Sequence, residues 1–126
     1  INIASSASFF GFPLRSPYTA AKWAVIGMTK TLAMELGSDG VRVNAICPGS
    51  VRGERINTVI EADALKQGKT IEEIEKLYLS QVSLKKFVEP EDVANLALFL
   101  SSDLGRFISG QAIGLDGHTE GLSNNL

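Results

Sequence analysis

SPYTAAKWAVIGMTKTLAMELGSDGVRVNAICPG, residues 16–49, decides the fold. Ser16-Pro17 reads as a helix start. The serine hydroxyl can accept from an orphan amide, and proline in the first turn loses no hydrogen bond it would have made. From Tyr18 to about Leu36 the chain reads as a helix, with Val25, Met28, Leu32 and Leu36 three or four apart. Ala20, Ala21, Ala24 and Gly27 crowd its first half and let another backbone come close. Gly37 and Ser38-Asp39-Gly40 end it. Val41 to Cys47 is β-branched and mostly apolar, the composition of a strand, and Pro48-Gly49 terminates it.

Upstream, Ile1 to Ala4 is a short apolar strand running into Ser5-Ser6-Ala7-Ser8, and Phe9 to Pro13 is a loop. A strand, a long helix and a second strand favour a parallel crossover and hence an α/β sheet. Downstream, two helical pieces are expected at Glu54–Gln67 and Ile71–Gln81, parted by Gly68, with capping-box spacing from Thr70 to Glu73. Ile71, Ile74, Leu77 and Tyr78 give the second piece a thin apolar face, as in a flap lying over something. Glu89-Pro90-Glu91-Asp92 opens another helix, striped by Val93, Leu96, Ala97 and Leu100. Ala112 to Leu115 is a last strand, followed by Asp116-Gly117 and a polar tail.

Composition removes several function classes. Twelve Lys and Arg against fourteen Asp and Glu leave no excess positive charge for a phosphate backbone, so nucleic acid is not an expected partner. No apolar run reaches the ~18 residues of a membrane span, and the opening lacks a signal-peptide layout. A cytoplasmic location is expected. One cysteine and one histidine exclude a disulfide framework and argue against a soft-ligand metal site. The sequence opens on Ile1 rather than Met and enters a strand at once, so a fragment of a longer domain is expected.

Tyr18 and Lys22 are four apart on the predicted helix and leave it as neighbours. A phenol normally ionises near pH ~10, and an adjacent ammonium favours phenolate, the adjustment acid–base chemistry needs. Ser5 stands at the end of one strand and Pro48-Gly49-Ser50-Val51 at the end of the next, where α/β sheets place ligand-facing groups.

Ser5, Tyr18-Thr19-Ala20-Ala21-Lys22, Arg42-Val43-Asn44-Ala45 and Pro48-Gly49 closely resemble the short-chain dehydrogenase/reductase family. The likeness continues through Glu89-Pro90-Glu91-Asp92-Val93-Ala94, Ser109-Gly110-Gln111 and Asp116-Gly117. It implies the C-terminal half of a Rossmann-like doubly wound parallel sheet. Residues 1–126 would be the catalytic and substrate-covering half of one domain, with the dinucleotide-anchoring half absent. It also implies roles. Tyr18 would be the general acid/base. Lys22 would bond the nicotinamide ribose and keep Tyr18 acidic, and Ser5 would hold the substrate oxygen. Pro48, Gly49, Ser50 and Val51 would lie along the nicotinamide, with the Val51 backbone meeting its carboxamide. Tyr18 and Lys22 thus count with the cofactor-binding set as well. The implied cofactor is NAD or NADP in the full-length parent, the substrate a small secondary alcohol or ketone, and the assembly a homo-oligomer, dimer or tetramer. The alternative is a truncated, catalytically inert chain that only folds or self-associates.

Departures from the family pattern are visible too. No Gly-x-Gly occurs anywhere in the chain, so the pyrophosphate turn is missing. Gly53 stands where the family often has Thr, and Ser50 and Arg52 are candidate substitutes. Ser6 competes with Ser5, although spacing to Tyr18 favours Ser5. Cys47 reads as a small core residue, His118 as a surface residue, Trp23 and Met34 as packing or subunit-contact groups. Arg52, Glu54 and Arg55 begin the flap, where they would meet a polar substrate or simply face water. A serine hydrolase is disfavoured, since no Gly-x-Ser-x-Gly elbow is present.

Overall fold

The computed structural model describes residues 1–121. Three parallel strands, β1 (Asn2–Ile3), β2 (Ala45–Pro48) and β3 (Ala112–Leu115), form one sheet in that order. Asn2 pairs with Ala45 and Ile3 with Ile46, while Ala45 to Pro48 pair with Ala112 to Leu115. Helix α1 (Ser16–Leu36) links β1 to β2. Helices α2 (Glu54–Gln67), α3 (Ile71–Ser80) and α4 (Pro90–Ser101) lie between β2 and β3. The α/β class with a parallel sheet is therefore as the sequence reads, and the polar tail beyond residue 121 lies outside the described residues.

All four β2 residues are buried, which requires cover on both faces of the sheet. Ala45 and Cys47 point one way, and with Ala4 they pack against Val25 and Ile26 of α1 and Ala112 of β3. Ile46, between them and fully buried, points the other way. A second apolar cluster joins α2 to α3 through Ile60, Ala64 and Ile74, with Phe87 behind them. Thr70 and Glu73 make the reciprocal capping box the sequence predicts, and Gly68 turns the chain between the two helices at φ 62°.

Four expectations need correction. Ser16 is not the cap of α1: Arg15 occupies that position, Ser16 is the first helical residue, and no side chain caps the end. The second strand begins at Ala45, not Val41. The Val43 amide bonds the Ser109 hydroxyl, and the Asn44 side chain bridges the Ile108 carbonyl and Gln111 amide. Their polar groups are thus satisfied by irregular contacts rather than a ladder. The strand also runs through Pro48. Amides of Ala45 and Gly49 donate to the β3 side, so the proline nitrogen falls on the opposite edge, beyond the end of β1, and breaks no bond. The third helix ends at Ser80, one residue short of the expected Gln81, which is its cap.

Candidate active site

The register places the functional candidates. Ile3 is level with Ile46, so Ser5, two residues on, falls beside Pro48 at the carboxyl end of the sheet. There the chain leaves β1 into a short 3-10 turn, Ser6–Ser8, whose N-cap is Ser5. The Ser5 hydroxyl oxygen accepts from the Ala7 amide at 3.2 Å. Its own proton stays available to donate. Ser6, the competing serine, is almost fully buried. Ser8, which sequence reasoning passed over, donates to the Lys22 carbonyl at 3.0 Å and ties the turn to α1.

Lys22 donates from Nζ to the Ile3 carbonyl at 3.1 Å, and that Nζ lies 5.9 Å from the centre of the Tyr18 ring. One ammonium proton is thus engaged by the strand end and two remain. Ser5, Tyr18, Lys22 and Pro48 to Val51 all line one cavity of about 980 Å³, at the upper end of ordinary ligand sites. Its far wall comes from α2 and α3, including Ile56, Val59, Leu77 and Tyr78. The flap expected from the thin apolar face is therefore a cavity wall.

The turn after β2 has a specific shape. Gly49 has no room for a side chain: a Cβ there would meet the Asp116 Cβ at 2.9 Å and Cα at 3.0 Å. Val51 makes a parallel bridge to Val88, in which Arg52 donates to the Val88 carbonyl and Val88 to the Ser50 carbonyl. In that pattern the amide and carbonyl of Val51 itself point away from Val88. Neither has a partner among the described residues. An amide donor and a carbonyl acceptor side by side at a cavity wall match the carboxamide of a nicotinamide, so the residues present fit that group.

Arg52 does not replace the family's threonine. It is bound to Glu75 at 2.9 Å and stacks over Phe87, 4.4 Å from ring centre to guanidinium carbon. Gly53 adopts φ 148°, ψ 179°, a backbone that residues with a Cβ rarely take, so threonine is not accommodated in this conformation.

Other candidates resolve as follows. Cys47 is wholly buried and burial pushes its thiol up, so it packs as a core residue. His118 is exposed yet not free of contacts: Nδ1 is 2.7 Å from the Ser83 hydroxyl, and its carbonyl accepts from the Ser83 amide. The segment after β3 thereby holds the end of the α3 wall. Trp23 and Met34 are exposed rather than packed within the chain. Sequence reasoning missed one pair, Tyr78, whose hydroxyl donates to Asp63 at 2.7 Å across the α2–α3 seam. Burial and that bond push the Tyr78 phenol well above its usual range. The two residues sit on different helices, and no periodicity joins them. No helix among the described residues is long and apolar enough to cross a membrane.

A family model described as Enoyl-(Acyl carrier protein) reductase matches residues 1–119. The chain is 38% identical over 117 residues to the 3alpha-hydroxysteroid dehydrogenase of Mediterraneibacter gnavus, covering 93% of this chain and 42% of that protein. Among solved structures, a short chain dehydrogenase family protein from Francisella tularensis superimposes with a TM-score of 0.87 at 32% identity, over 91% of this chain and 48% of that one. A 4-hydroxyisoleucine dehydrogenase complexed with NADH gives 0.70 at 35% identity, over 92% and 43%. The chain thus spans under half the length of each. The chain belongs to the short-chain dehydrogenase/reductase family of oxidoreductases.

Proposed function

We propose that this chain supplies the proton-transfer and substrate-covering part of an oxidoreductase that interconverts a secondary alcohol and a ketone. The observation that carries it is the meeting of Ser5, Tyr18, Lys22 and the Pro48–Val51 turn in one cavity. The family works with NAD or NADP, and a structural relative carries NADH. The bound nicotinamide would supply hydride for the carbonyl carbon, or accept it from the alcohol carbon. This chain's residues act on the substrate oxygen and its proton.

In the reducing direction the carbonyl oxygen gains negative charge and must be met by donors already in place. The Ser5 hydroxyl, its oxygen turned to Ala7, donates to that oxygen and fixes its position. Tyr18 transfers its phenolic proton to the same oxygen, which completes the alcohol, and takes a proton back in the reverse direction. Lys22, anchored on Ile3, holds positive charge beside the phenolate so formed, and its free N–H groups would meet the cofactor ribose. The Val51 amide and carbonyl would hold the cofactor's carboxamide. The α2–α3 wall covers one side of the reaction space. Substrates named for relatives, a hydroxysteroid in one case and 4-hydroxyisoleucine in another, have in common a secondary hydroxyl group.

The test is dinucleotide-coupled oxidation of secondary alcohols by a polypeptide containing this chain and a dinucleotide-anchoring half. Tyr18→Phe should abolish turnover while NADH affinity stays within about twofold. Turnover surviving Tyr18→Phe would overturn the assignment.

The second reading, a chain inert on its own, is favoured by the absence of any Gly-x-Gly turn in the sequence. It concerns the isolated 126 residues, and fluorescence titration with NADH decides it. Micromolar affinity of the isolated chain would sink that reading.

A further inference from the structure

We propose, resting on the alcohol–ketone reading, that the substrate carries an oxyanion, a carboxylate or a phosphate ester, and that Arg15 receives it.

The charge lining the cavity is unequal. Five basic side chains face it against two acidic ones, Glu54 and Asp63. Three of these seven have a charged or polar partner that holds them. Lys22 is anchored on the Ile3 carbonyl, Arg52 is paired with Glu75, and Asp63 holds the Tyr78 hydroxyl. Arg15, Arg55 and Lys66 remain, and among the described residues no carboxylate lies within ion-pairing distance of any of them. A concave site with apolar walls focuses such an excess and draws anions in.

Of the three, Arg15 is best placed to act on substrate. It stands three residues before Tyr18, at the N-cap of α1. Its guanidinium carbon is 5.9 Å from the centre of the Phe12 ring, which lines the same cavity. Tyr78 of the opposing α3 wall lines the same cavity as Arg15. A planar fork of N–H donors suits carboxylate and phosphate geometry. A substrate reacting at Tyr18 and reaching toward Phe12 along apolar surface would bring a terminal oxyanion to Arg15. Arg15 lies outside the Pro48–Val51 turn, which separates this role from gripping the cofactor.

The experiment compares matched pairs in the polypeptide containing this chain and a dinucleotide-anchoring half, with NADH or NADPH. One pair is straight-chain oxo acids against their amides, the other is a ketone phosphate ester against the parent hydroxyketone. We expect at least one anionic member to exceed its neutral partner in kcat/KM by about tenfold or more, as for a charge-assisted hydrogen bond. The pair that discriminates names the oxyanion. Arg15→Gln should bring that ratio near one, acting through KM, and Arg15→Lys should recover part of it. Equal use of both members, or a ratio unmoved by Arg15→Gln, would overturn the proposal. So would an equal loss in NADH affinity, which would assign Arg15 to the cofactor instead. Calorimetry with pentanoate and pentanamide separates this from failure of the alcohol–ketone reading. Pentanoate binding that Arg15→Gln weakens, with no turnover of any pair, keeps the anion site and overturns hydride transfer. Absence of both turnover and pentanoate binding overturns both.

Discussion

The Lys22 ammonium donates to the Ile3 carbonyl, the last residue of β1, so one hydrogen bond fixes α1 to the strand that delivers Ser5. The same ammonium is 5.9 Å from the Tyr18 ring centre. Position and charge are therefore joined in one side chain. Lys22→Met keeps the stem and removes both. In the proposed reaction it should lower kcat/KM about a hundredfold or more, with weaker NADH binding. Lys22→Arg should not restore it, because a planar fork cannot repeat the compact ammonium's contacts. Steady-state kinetics with both variants checks this, and full rescue by arginine would count against a positional role.

Ser5 and Ser6 are separated by the structure in a way that can be measured. The Ser5 oxygen accepts from Ala7 and Ser5 is partly exposed, whereas Ser6, which also lines the cavity, is almost wholly buried. Ser5→Ala should cost ~10²–10³ in turnover, the size seen on deleting one oxyanion donor. Ser6→Ala should act mainly on stability. Parallel kinetics and thermal unfolding of the two variants decide it, and the reverse pattern would move the assignment to Ser6.

At Gly49 a side chain would collide with Asp116, and at Gly53 the backbone itself is unsuited to one. Gly49→Ala should cost ~1–3 kcal/mol through overpacking. Gly53→Thr, which restores the residue common in the family, should cost about as much through backbone strain and should not improve NADH binding. Denaturant unfolding and fluorescence titration would show it. A stabilising Gly53→Thr would mean that the turn relaxes freely.

What the sequence discloses and what it hides follow from how local each signal is. Helices α1 and α2, the Thr70–Glu73 box and β3 were legible because period, cap and breaker lie within a few residues of one another. The Tyr18–Lys22 pair was legible for the same reason. The beginning of β2 was not, since Val43 and Asn44 are bound by Ser109 and by the backbone at Ile108 and Gln111, more than sixty residues away. Nor was Asp63–Tyr78, a contact made only once α2 and α3 have packed on Ile60 and Ile74. The orientation of Val51 likewise depends on Val88, which sequence proximity does not supply.

The Asp63–Tyr78 bond gives the cavity wall a dependence on pH with a definite sign. Burial, then the carboxylate, raises the Tyr78 phenol above its unfolded value near ~10. A group raised on folding contributes stability that is fully present below its unfolded value and lost as pH rises toward the folded one. At neutral pH the contribution is therefore complete, and it declines above pH ~10. Tyr78→Phe should cost ~1–2 kcal/mol at neutral pH, because Asp63 loses its donor while remaining half in contact with water. The variant should also lose less stability than the parent between neutral pH and pH ~11. Urea unfolding at both pH values checks this, and equal loss in the two proteins would mean that Asp63 does not hold the Tyr78 proton in solution.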